Sequence, residues 1–165
     1  MAKTKAKSRT TRRATTRSAA RRKTAARSPA RAKSKARPRA KQRFTVSHHN
    51  EADFDAGLRR YAKYRDLGIS AATNGLVQAH VVQFVPPCLA EEVSKLHYHD
   101  VEFQMVYVLK GSITTDLEGQ GPITMREGSC WIQPPRVKHK VIDYSDDCQA
   151  LEIVLPADFK TVELE

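Results

Sequence analysis

No acidic residue precedes Glu51, and apart from Met1 residues 1–43 contain no Leu, Ile, Val, Met, Phe, Tyr or Trp. A stretch with so little apolar surface to bury cannot offset the entropy of ordering, so it is expected to be disordered on its own. The missing apolar run also excludes a secretory signal, and an organelle transit helix would have only Ala on its apolar face. Cysteine is scarce and odd in number. Cys88, Cys130 and Cys148 form no C-x-x-C pair, which argues against a disulfide framework or a structural zinc knot and suits a reducing cytosol. No run of about 18 apolar residues occurs, which argues against a membrane-spanning helix.

What is present divides the chain in two. Eighteen of the 29 Lys and Arg residues fall within 1–43, leaving eleven against all eighteen acids, so residues 44–165 carry a formal charge of −7. The overall +11 describes neither part. We therefore expect a basic, disordered tail at 1–43, a linker with a flanking helix at 44–75, and one compact domain at 76–165. In composition alone the tail resembles those of linker histones and bacterial histone-like proteins. Its expected partner is nucleic acid, bound nonspecifically through phosphates, since it offers no aromatic ring to stack on bases. The plainer alternative is an extension without a dedicated role, or a start assigned too far upstream. The expected location is cytoplasmic, with nucleoid association if the tail binds DNA.

Asn50, with Asp53 three residues on, reads as a helix start, followed by a stripe of Phe54, Leu58, Tyr61 and Arg65 and a stop at Gly68. After Asn74-Gly75 the pattern changes to strands: 79–85, 95–99, 104–109, 112–117, 123–125, 129–132, 138–143 and 149–155, with 156–165 as an irregular or edge segment. Short strands with regular turn signals over about 80 residues predict an all-β sandwich or barrel.

Two stretches carry chemistry. The first, HYHDVEFQMVYVLKG from His97 to Gly111, opens with two histidines one residue apart, so the strand pleat projects both imidazoles from one face. A strand presents two nitrogen ligands to one metal ion in this way. The second, GSCWIQPPRVKH from Gly128 to His139, supplies another histidine. Together they resemble the paired motifs of the cupin superfamily: His97, His99 and Gly111 match the first, and Gly128, Pro134 and His139 the second. Gln104 stands where that family usually has Glu, Arg136 replaces a glycine, and Asp143 replaces an asparagine.

The resemblance implies a small jelly-roll barrel in which His97, His99, Gln104 and His139 converge on a divalent ion (Fe, Mn, Ni, Zn or Cu). Three placements are open for Gln104: a neutral fourth ligand, a non-ligating neighbour of a three-histidine site, or a mark of lost metal binding. Glu102 is the alternative carboxylate ligand, sharing strand parity with Gln104. Phe84, Val106, Tyr107, Trp131, Gln133 and Arg136 are candidate pocket residues, although aromatic and β-branched side chains in such strands also serve as plain core. His80, in an apolar strand, reads as a satisfied structural histidine, and Cys130 and Cys148 as buried apolar residues. The functions implied are a metal-dependent oxygenase or isomerase acting on a small, anionic or oxygen-rich molecule, or a non-catalytic sensing module held on nucleic acid by the tail. A homodimer through exposed sheet edges is expected.

Overall fold

A computed structural model of the chain describes residues 41–57 and 59–164. The expectation for the basic tail lies outside the described residues except at 41–43, and Leu58 lies outside them too. Residues 41–43 have no regular secondary structure and are tied down where the Arg43 N–H donates to the Ala72 carbonyl and the Lys41 carbonyl accepts from Asn74 Nδ2.

In chain order the elements are a 3-10 turn at Glu51–Asp53, β1 (Asp55–Ala56), β2 (Ala62–Asp66), α1 (Ile69–Thr73), β3 (Gln78–Phe84), α2 (Ala90–Val93) and β4 (His97–Asp100). There follow β5 (Phe103–Lys110), β6 (Ser112–Leu117), β7 (Gly121–Arg126), β8 (Cys130–Ile132), β9 (His139–Tyr144), β10 (Gln149–Leu155) and β11 (Lys160–Glu163). They form a six-stranded sheet, in the order β1-β2-β3-β10-β5-β8, and a five-stranded sheet, β11-β4-β9-β6-β7. Each sheet keeps two edges, so of the sandwich or barrel expected the architecture is the β-sandwich, and the jelly-roll does not close into a barrel among the described residues.

The expected helix after Asn50 is replaced by other structure. Asn50 does cap a helical start, its side chain accepting from the Ala52 N–H, but the start lasts only three residues. Beyond it, β2 pairs with β3 over five positions, Ala62 opposite Phe84 through Asp66 opposite His80. That ladder buries Ala62 and Arg65 and brings Tyr61 parallel to Phe84 at 6.4 Å between ring centroids. Sheet pairing and burial thus outweigh the helical spacing, whose local preference is worth only tenths of a kcal/mol per residue. Gly57, which weakens the helix reading, has a separate cause: a Cβ there would enter the ring of Tyr64.

The strands follow the pleat. In β6, Ile113, Thr115 and Leu117 are buried and alternate with half-buried residues; in β5, Gln104, Val106 and Val108 point inward. The shared core includes Phe84, Val108, Ile113, Met125, Tyr144 and Cys148, with Phe84 and Tyr144 4.9 Å apart. Cys148 is buried as expected, whereas Cys130 is exposed on edge strand β8. The terminal segment does form an edge strand, β11, paired to β4.

Candidate metal centre and cavity

His97 and His99 lie on β4 and His139 on β9, and His97 faces His139 directly across the ladder. The pleat puts His99 on the same face, and the ring centroids are 4.3 Å (His97–His139), 5.0 Å (His99–His139) and 5.2 Å (His97–His99) apart. One ring nitrogen from each lies within 4.8 Å of the others. The sequence motif and the fold therefore bring the three histidines together.

Their hydrogen bonds decide which nitrogens those are. His97 Nδ1 is 2.7 Å from the Lys95 carbonyl, and His139 Nδ1 is 2.9 Å from the Val137 carbonyl. A carbonyl only accepts, so each Nδ1 carries the proton and each Nε2 keeps its lone pair. His99 Nδ1 is 2.9 Å from Gln104 Oε1, and Gln104 Nε2 is 2.6 Å from Glu152 Oε1. Because the carboxylate must accept, the Gln104 amide is oriented with its oxygen toward His99, which fixes the same tautomer there. All three imidazoles thus reserve Nε2 for a common centre, an arrangement metal-binding histidines adopt when other groups hold the second nitrogen.

Electrostatics favour the neutral, ligating form. Burial lowers the His97 pKa to about 4, with His139 and His99 adding repulsion and the Lys95 carbonyl opposing it. Burial likewise lowers His139, with His99 contributing. His139 Nε2 is 3.0 Å from Gln133 Nε2, and Trp131 Nε1 donates to Gln133 Oε1 at 3.2 Å. An ion taking the His139 lone pair would therefore displace the Gln133 amide.

Opposite the histidines, on the six-stranded sheet, lies a polar chain that the sequence reading did not assemble. Glu152 on β10 sits across from His80 on β3, with Oε2 2.6 Å from His80 Nε2. Burial pushes its pKa up, but the hydrogen bond and charge of His80, the charge of His99 and the Gln104 amide outweigh it and hold it below the usual carboxylate value. A path His99–Gln104–Glu152–His80 therefore crosses from one sheet to the other. The missed signal was available: Glu152 interrupts the apolar strand QALEIVL with the inward parity of Ala150 and Val154.

Between the sheets is a cavity of ≈ 350 Å³ lined by the three histidines, Gln104 and Glu152. Phe84, Val106, Trp131 and Gln133 also line it, as do Arg59 and Tyr64 from the segment that was expected to be a helix. Tyr107 does not line it: it has the opposite parity to Gln104 and is 38 % exposed on the outer face. Arg136 lies outside as well, in a left-handed turn (φ 63°), with Nη2 donating to the Tyr98 hydroxyl at 3.2 Å and its guanidinium over that ring. Glu102 is exposed and precedes β5, so strand parity does not reach it; its N–H donates to the Leu155 carbonyl at 2.7 Å.

A family model described as "Cupin domain" matches residues 89–154, which span both histidine stretches. Among solved structures, the chain is similar to KdgF from Halomonas sp. (19 % identity, TM-score 0.52, covering 67 % of this chain and 94 % of that one). It is also similar to the polyketide cyclase RemF from Streptomyces resistomycificus (17 % identity, TM-score 0.56, covering 73 % and 86 %). Oxalate decarboxylase from Lactobacillus farciminis, solved as a formate complex, aligns at 15 % identity and TM-score 0.53, covering 68 % of this chain and 34 % of that one. No curated protein matches the sequence. At these identities the structural likenesses concern the fold; with the domain match they support the cupin superfamily. No helix among the described residues is long and apolar enough to cross a membrane.

Proposed function

We propose that His97, His99 and His139 hold one divalent metal ion through their Nε2 atoms, and that the adjoining cavity admits a small molecule to it. The observation that carries this reading is the fixing of all three tautomers: each Nδ1 has an acceptor, so three lone pairs are left for one centre. Three neutral imidazoles leave coordination positions open and suit Fe, Mn, Ni, Zn or Cu. Bound there, such an ion would supply Lewis acidity or, if redox-active, dioxygen chemistry. The protein's part is to orient the ligand against apolar walls, keep water out, and hold His99 in place through Gln104 and Glu152. Metal-dependent oxygenation or isomerisation of a small molecule is the activity this site fits best. Gln104 serves in this reading as the partner of His99 and not as a fourth ligand.

Thermal unfolding with added divalent ions tests the metal site. Ions that bind only the folded chain raise its Tm with concentration, by about 2.7 kcal/mol of stabilisation at a hundredfold excess over Kd. The wild type shows this rise and His97→Ala does not; equal responses in both would remove the site.

A second reading, a non-catalytic sensing module placed on nucleic acid, is favoured by the concentration of eighteen basic residues in 1–43. Mobility shifts of the full chain and of a chain without those residues decide it. Absence of a tail-dependent shift at low salt would remove the localisation.

A further inference from the structure

Among the described residues Arg59 is the one guanidinium lining the cavity, and its side chain is only 10 % exposed. Its Nη1 is held by Glu163 Oε1 on β11, but its Nη2 is buried without a hydrogen-bond partner among the described residues. Asp55 lines the same wall, yet makes no ion pair with Arg59 among the described residues. A buried guanidinium nitrogen left without an acceptor is costly, and a ligand in the cavity that Arg59 lines is one group that would complete it. The rest of the cavity narrows the ligand. Its walls include Val82, Phe84, Val106, Ile113, Val141 and Trp131, which suit an apolar body. Charge narrows it further, since Glu163 already neutralises much of Arg59 and Glu152 faces His80, so the cavity fits one negative charge better than two.

We propose that Arg59 is the anion-recognising residue of this cavity, its free Nη2 donating to a single carboxylate on an otherwise apolar small molecule. This rests on the reading of the cavity as a ligand site and gives that ligand its chemical class. Glu163 is the counter-ion of this guanidinium: it occupies Nη1 and leaves Nη2 without a protein partner among the described residues. β11 thereby serves both halves of the site, since it also pairs with β4, which carries His97 and His99. The segment before β2, which the sequence pattern assigns to a flanking helix, becomes the part that selects the ligand.

The test uses the full-length chain with four probes: benzoate, hexanoate, and the uncharged benzamide and hexanamide, with binding followed by ligand-observed NMR. Wild type binds the two acids about ten- to a hundredfold more tightly than the matching amides, the range expected for one hydrogen bond to a charged group. Arg59→Gln loses that preference while its divalent-metal content, measured separately, stays at the wild-type level. Glu163→Gln breaks the same ion pair but keeps the guanidinium, so it retains the preference or strengthens it. Equal binding of acids and amides by wild type, or no binding of any probe, would overturn the proposal. So would loss of the preference in Glu163→Gln, because the effect would then be structural. A preference for acids that depends on Arg59 in a chain that binds no metal would sustain this inference while removing the metal site.

Discussion

Gln104 occupies the position where a carboxylate would be expected to contribute charge to a metal, and the negative charge sits one hydrogen bond further back, on Glu152. The Gln104→Glu variant brings a second carboxyl against Glu152, and two adjacent carboxylates in a buried site retain a shared proton. We expect the metal-free variant to be about 1–3 kcal/mol less stable at neutral pH. Because the shared proton raises a folded-state pKa, the loss shrinks as pH falls toward the ordinary carboxylate range; urea unfolding at several pH values reads this. Gln104→Ala leaves His99 Nδ1 and Glu152 Oε1 without their partner, while Glu152 Oε2 keeps His80, and metal affinity should fall about 10- to 100-fold, as when second-sphere partners are removed elsewhere. His97 supplies an opposite pH dependence. Its folded pKa of about 4 lies below the unfolded value of about 6.5, so neutral His97 contributes stability that is intact above the unfolded pKa. That stability, on the order of 3 kcal/mol by linkage, is lost as pH falls between those values in the metal-free chain. Urea unfolding of wild type against His97→Ala isolates it, and parallel pH profiles would contradict it.

Among the elements, the strands were the legible part. β6 and β10 have the limits expected from alternation and flanking turn residues, and β3, β5 and β9 differ by a residue or so at their ends. The histidine cluster was legible as well, because a two-residue pleat and two spaced motifs fix which side chains share a face. Arg59 and the β1–β2 segment were not legible, since the stripe there has helical spacing and the partner of Arg59, Glu163 on β11, lies far along the chain. Glu152 fell between these cases: its parity was readable, its partners His80 and Gln104 were not. The Gly111 turn between β5 and β6 is a place where sequence and structure agree for a physical reason. It has φ +69°, and a Cβ there would meet Ser145 Oγ, Asp147 Oδ1 and the Cys148 backbone. Gly111→Ala should cost about 1–3 kcal/mol, the range for a strained backbone position. Gly119→Ala, also at positive φ but with open space around it, should cost about 1–2 kcal/mol from backbone conformation alone. Denaturant midpoints compare the two directly, and equal losses would show that crowding at Gly111 contributes nothing.

At the scale of the whole molecule, the two sheets divide the chemistry. The five-stranded sheet carries the histidines, and the six-stranded sheet carries the buried carboxylate, the amide that reaches across to His99, and most of the apolar wall. The opposite charges of 1–43 and 44–165 make a separate prediction. If the full chain binds duplex DNA through the tail, log K should fall with log salt by about 0.9 for each phosphate neutralised, whatever the DNA sequence. Affinity insensitive to salt would contradict it. The central claim is the three-histidine metal centre, and the measurement that tests it most directly is elemental analysis of the full-length chain after loading with divalent ions and exhaustive dialysis, wild type beside His97→Ala/His139→Ala. The account predicts about one ion per wild-type chain, as expected of a single three-histidine site, and close to none in the double variant. A wild type that retains no metal, or a double variant that retains as much, would contradict it.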